Sequence, residues 1–161
     1  MFSPITNELL LKAGWHEKYV FDITLYEQIF RQKGCPLPEI VSGFLKHYGG
    51  LYFVNLTAAD NISVVYFDFD ANAYLKHLTG LFDPCGDCAE LSRRLRLSSP
   101  IMYPIGTSHE GHMELLMASD GMVFAVYDEF ALFVGESGED ALEALCTGRE
   151  LKQILFEYPD E

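Results

Sequence analysis

Lysine and arginine are missing from the 52 residues between Arg96 and Arg149, a stretch that holds nine acids. They are Glu110, Glu114, Asp120, Asp128, Glu129, Glu136, Glu139, Asp140 and Glu143. The first 96 residues are nearly balanced, with nine bases against eleven acids, so nine of the 13 net negative charges fall in this one stretch. A folded surface with that imbalance repels nucleic acid and anionic membrane and attracts basic proteins. Its residue pattern reads as strands and turns, which excludes a disordered acidic tail.

Long apolar runs are also missing. Runs such as Gly121 to Tyr127 fall far short of the ~20 residues a membrane helix needs. The segment Met-Phe-Ser-Pro-Ile-Thr-Asn-Glu lacks the basic flank and small-residue cleavage site of a secretory signal, so a cytoplasmic protein is expected. There is no Walker loop, no G-x-G-x-x-G and no G-x-S-x-G, which leaves nucleotide binding and serine hydrolysis without support. Only four cysteines occur, Cys35, Cys85, Cys88 and Cys146. A chain with a sizeable core does not need them as disulfides, and reduced thiols are expected.

What the chain does have is apolar mass: 161 residues, 49% hydrophobic and 14% aromatic, enough for one domain spanning residues 1–161. The spacing predicts a first helix through Leu9 to Leu11, capped at Thr6 and ended at Gly14. A second begins at Asp22 and carries Leu25, Tyr26, Ile29 and Phe30, with Gly34 closing it. A third starts at Pro38, with Ile40, Val41, Phe44, Leu45 and Tyr48 as one stripe, and Gly49-Gly50 stops it. Strands are expected from Leu51, from Ile62, and over 101–105, 112–117, 122–127 and 131–134. Ser119-Asp120-Gly121 marks a tight turn. Helical spacing returns at 71–82, 87–97, 141–145 and 150–155. Pro104 with Gly106 suits an irregular or edge strand. Strands gathered in the middle with helices around them argue an α+β fold with a mostly antiparallel sheet of about six strands.

Candidate chemistry is sparse. Cys85-Gly-Asp-Cys88 with His109 and His112 has the residue types of a four-ligand zinc site. The strand-flanked context of a redox C-x-x-C is missing, and the histidine pair enters a strand, where alternate side chains diverge. The plain reading is two small residues at a helix start and two surface histidines. Asp68 and Asp70 could share a face, but a solvated acidic rim accounts for them as well. Cys35 beside Pro36 and Cys146 on an apolar helical face have no base signature around them. His16 and His47 read as surface or packing residues, and Trp15 reads as an anchor under the first helices. No catalytic residue and no cofactor is indicated.

Several segments in order resemble the SUKH superfamily, most closely its third immunity-protein subfamily. They are Lys12-Ala-Gly-Trp15, Gly34, Phe44-Leu-Lys-His-Tyr-Gly-Gly-Leu51, Phe82-Asp-Pro84, Tyr103-Pro-Ile-Gly106, Leu115-Leu-Met-Ala-Ser-Asp-Gly-Met-Val-Phe124, Gly135, Ala141-Leu142, Leu145 and Gly148. The resemblance implies a SUKH-like single domain with no enzymatic activity: a bacterial immunity protein that binds and neutralises a polymorphic toxin in the cytoplasm. Such toxins are frequently nucleases or nucleic-acid deaminases with basic clefts, and the acidic stretch would complement one. Glu110, Asp128, Glu129 and Glu136, near its turns, are the expected partner-binding residues. A regulatory adaptor of the same fold and a small zinc protein are the alternatives.

Overall fold

Proline and serine set the first helix. In the computed structural model, which describes residues 1–55, 65–68, 93, 102–108, 112–127 and 130–155, α1 runs Pro4–Lys12 with Ser3 as its N-cap. The Ser3 hydroxyl accepts from the Thr6 N–H at 3.3 Å and donates to Thr6 Oγ1 at 3.2 Å. The cap therefore lies earlier than the expected Thr6, whose own side chain is buried. Proline at the first helical position fits because its missing N–H would have no intrahelical partner anyway.

The second helix, α2 (Thr24–Gln32), starts where Asp22 accepts from the Thr24 backbone N–H at 3.0 Å and from the Thr24 hydroxyl at 2.6 Å. It buries Tyr26 and Phe30, and the Tyr26 hydroxyl donates to the Pro104 carbonyl. The third, α3 (Glu39–Tyr48), follows Pro38 and buries Val41, Phe44, Leu45 and Tyr48. At its end Gly50 takes φ +75, and a Cβ on Gly50 would stand 2.5 Å from the Phe21 ring. Only glycine turns the chain there and still lets Phe21 close over it.

Among the described residues seven strands form one sheet in which each pairs with its neighbour in chain order, all antiparallel. They are β1 (Tyr52–Asn55), β2 (Val65–Asp68), β3 (Met102–Ser108), β4 (Met113–Ala118), β5 (Val123–Val126), β6 (Phe130–Gly135) and β7 (Lys152–Leu155). A further helix, α4 (Gly138–Thr147), connects β6 to β7; Ser137 caps it by accepting from Asp140 N–H at 3.1 Å. The class is α+β, as the element pattern implied. The helices expected over 71–82 and 87–97 lie outside the described residues, apart from Arg93.

One expectation is corrected. Residues 152–155 form a strand, not a helix: Gly148 takes the left-handed conformation and ends α4, and the chain then pairs Ile154 with Ala131 on β6. A six-residue apolar pattern is too short to distinguish the two periods, and a distant ladder decides. Pro104 lies on an irregular strand, as expected of it, although β3 pairs with both β2 and β4. The register shifts between Pro104 and Gly106, and this bulge accommodates the residue that has no N–H to give.

Side chains alternate across the sheet. Tyr103, Ile105, Leu115, Met117, Val123 and Ala125 join the buried residues of the helices in the main core, with Trp15, Phe21 and Leu151 packed at its margin. On the other face Met102, Leu116, Ala118, Phe124 and Ala131 make a second buried cluster. Burial on both faces explains why β4 and β5 read as nearly unbroken apolar runs rather than alternating ones.

Candidate functional site: an acidic cleft between two helices

Helical spacing brings Glu39, Ile40, Gly43 and Phe44 to one side of α3, facing Ser137, Gly138 and Glu139 at the start of α4. Together with Met117 of β4 they line an open cleft of about 430 Å³. The two helices approach closely because residue 138 has no side chain: a Cβ there would enter the Phe44 ring and come within 2.9 Å of the Met117 methyl. At the other end of the cleft, the Ser119-Asp120-Gly121 turn packs on Ile40, with an added Gly121 Cβ standing 2.6 Å from Ile40 Cδ1. That turn is the tight one expected, closed by Gly121 N–H to Ala118 O at 2.9 Å and Ala118 N–H to Met122 O at 2.8 Å.

The cleft's polar side chains are Glu39, His47, Tyr48, Ser137 and Glu139, of which the two glutamates carry its negative charge. Glu39 and Glu139 are exposed at its edges, and the Tyr48 hydroxyl donates to Glu139 Oε1 at 3.4 Å. Burial, then the nearby Glu139 charge, push the Tyr48 phenol up to about 12, so it stays a neutral donor. Tyr48 is itself held by rings: Phe44 at 5.2 Å and Trp15 at 6.2 Å between centroids.

Two other acids of the stretch lacking lysine and arginine are engaged in structural bonds. Asp140 pairs with Arg149 at 2.9 Å and accepts the Glu136 N–H at 3.0 Å, and these bonds hold its carboxyl below the usual range. Glu143 accepts the Ser3 N–H at 3.2 and 3.3 Å, tying the start of α1 to α4. Burial raises its carboxyl, but hydrogen bonds from Ser3 and Thr6 with the Arg149 charge outweigh that and hold it low.

Of the four expected partner-binding residues, Glu136 is exposed in the bend before α4, next to Ser137 of the cleft wall. Glu110, Asp128 and Glu129 lie outside the described residues. So do Cys85, Cys88 and His109 of the zinc set, while His112 is exposed ahead of β4. Among the described residues no group of three or more His, Cys, Asp or Glu side chains is placed to hold a metal ion. Asp68 ends β2 opposite Tyr52 and Thr107; Asp70 is outside the described set.

Cys146 is fully buried and stands outside any disulfide. Burial pushes its thiol up to about 12, against a lowering hydrogen bond with Thr6, which makes it a packing residue and no nucleophile. Cys35 departs from the expectation of reduced thiols: it is buried and disulfide-bonded.

Sequence reasoning missed the cleft. It assigned Ile40 to the core stripe of α3, whereas the side chain is 46% exposed. The available signal was Gly43, a glycine inside a helix where propensity disfavours it.

No helix among the described residues is long and apolar enough to cross a membrane. No curated protein and no solved structure matches the chain. The family model described as SUKH-3 immunity protein matches residues 2–148, nearly the whole chain. With a family match of that extent, the chain belongs to the SUKH-3 immunity protein family.

Proposed function

We propose that this protein neutralises a cognate toxin by binding it one to one in the cytoplasm, covering or distorting the toxin's active site without chemistry of its own. The observation that carries this reading is the family match over residues 2–148. The charge distribution supports a basic partner, a nuclease or nucleic-acid deaminase whose substrate cleft is positive. Nine acids without one lysine or arginine over 52 residues create a one-signed field that speeds encounter and disfavours wrong partners. Glu110, Asp128, Glu129 and Glu136 contribute to the contact surface, and the exposure of Glu136 is consistent with that role.

The test is co-expression with the toxin domain encoded beside it, scoring survival and co-purification. Rescue with a stable one-to-one complex supports the reading, and toxicity undiminished by a well-folded protein rejects it. A quadruple charge reversal at Glu110, Asp128, Glu129 and Glu136 should weaken the complex and flatten its loss with salt. Unchanged affinity would remove these four residues from the interface.

A further inference from the structure

Gly43 is an anomaly that folding does not explain. It sits in the middle of α3, where glycine is clearly less favourable than alanine. Packing does not require it, because a Cβ there would meet nothing within 4 Å. Gly138 across the cleft is different, being pressed against Phe44 and Met117. The effect of glycine at 43 is to leave the α3 wall low, opening the space beside Ile40 and Phe44.

Ile40 is left 46% exposed on that wall. Glu39 and Glu139 line the same cleft from two different helices. Their position in first helical turns suits the helix dipoles, but dipoles account for neither the exposed isoleucine nor the glycine. The ion pairs Lys12–Glu8, Lys46–Glu27 and Arg149–Asp140 engage neither Glu39 nor Glu139.

We infer that the cleft is the docking groove for one long basic side chain, lysine or arginine, projecting from a loop of the partner toxin. Its aliphatic stem lies over Gly43 against Ile40 and Phe44, and its cationic head pairs with Glu39 and Glu139. This rests on the proposed immunity function and places part of its interface. A basic side chain fits better than an apolar one for a physical reason. An apolar plug would strip water from two carboxylates with nothing in return, which is unfavourable. A basic residue covers the apolar wall with its methylenes and satisfies the acids with its head group. The Tyr48 hydroxyl steadies Glu139 at the mouth. Asp120 and Glu136, at the Ile40 end and beside Ser137, extend the negative field beyond the groove.

Calorimetric titration with the inactivated toxin domain encoded beside this protein tests the proposal, with the thermal midpoint of each variant measured in parallel. Gly43→Met fills the groove with a good helix former, and the double variant Glu39→Gln, Glu139→Gln removes the charge with little change of shape. Both are expected to weaken binding by about tenfold or more, with the Gly43→Met midpoint equal to or above the parent's. Glu114→Gln, on the opposite face of the sheet, should bind as the parent does. Further support would come from a toxin lysine or arginine whose reversal to glutamate is rescued by Glu139→Arg. Parent-like affinity in both groove variants would overturn the groove while leaving the immunity function intact. A parent protein that neither binds nor protects would overturn both.

Discussion

The Trp15 indole N–H donates to the His47 carbonyl at 3.1 Å, and the same ring lies nearly parallel to Tyr48, 22° between planes. The last carbonyls of a helix have no intrahelical partner, so the single tryptophan satisfies the end of α3 and walls its aromatic cluster at once. Trp15→Phe keeps most of the stack and loses the hydrogen bond, an expected loss of about 1 kcal/mol. Trp15→Ala loses both, about 2–3 kcal/mol for a half-buried ring. Urea denaturation separates them; equal losses would mean the hydrogen bond carries the whole effect.

Acid should weaken the junction around α4. Asp140 and Glu143 have folded pKa values below their ordinary 3.8 and 4.5. Groups held low bind fewer protons folded than unfolded, so their contribution is complete above the ordinary values. It is lost as pH falls through the depressed folded ones. Stability measured from pH 6 downward should stay flat to about pH 4.5 and then decline. The double variant Asp140→Asn, Glu143→Gln should flatten the decline, and a curve of unchanged slope would remove these two groups as its source.

Glycines 43 and 135 should respond to alanine in opposite directions. At Gly43 the added methyl meets open space and improves the helix, raising stability by about 1 kcal/mol. At Gly135 it would stand 2.5 Å from the Ala141 nitrogen and 2.9 Å from its Cα. That backbone cannot move aside without shifting α4, for a loss of about 1–3 kcal/mol. Thermal midpoints that move together would contradict this packing.

Cys146 should resist iodoacetamide in the native protein. Its thiol is fully buried and pushed up to about 12, so the reactive thiolate is scarce and out of reach. Alkylation followed by mass spectrometry should track global unfolding in denaturant. Rapid labelling without denaturant would show that the α1–α4 contact opens by itself.

Much of the local structure was legible in the residues. Pro38 and Gly49-Gly50 bound α3, its buried stripe at Val41, Phe44, Leu45 and Tyr48 follows helical spacing, and Ser119-Asp120-Gly121 makes its turn. These signals act within a few neighbours. The strand at 152–155 was not legible because its partners are on β6, and so short a stretch satisfies either period. Pro104 was legible as the mark of an irregular strand, and the bulge against β4 is that irregularity.

The sequence by itself determined the charge imbalance, the α+β class and the want of a catalytic signature, because composition and short-range pattern are complete before folding. Tertiary structure alone decided which acids are available. It tied Asp140 to Arg149 and Glu143 to Ser3, and left Glu39 and Glu139 facing one cleft from separate helices. A carboxylate's role depends on what stands within a few ångströms of it, and those neighbours come from chain segments far apart in sequence.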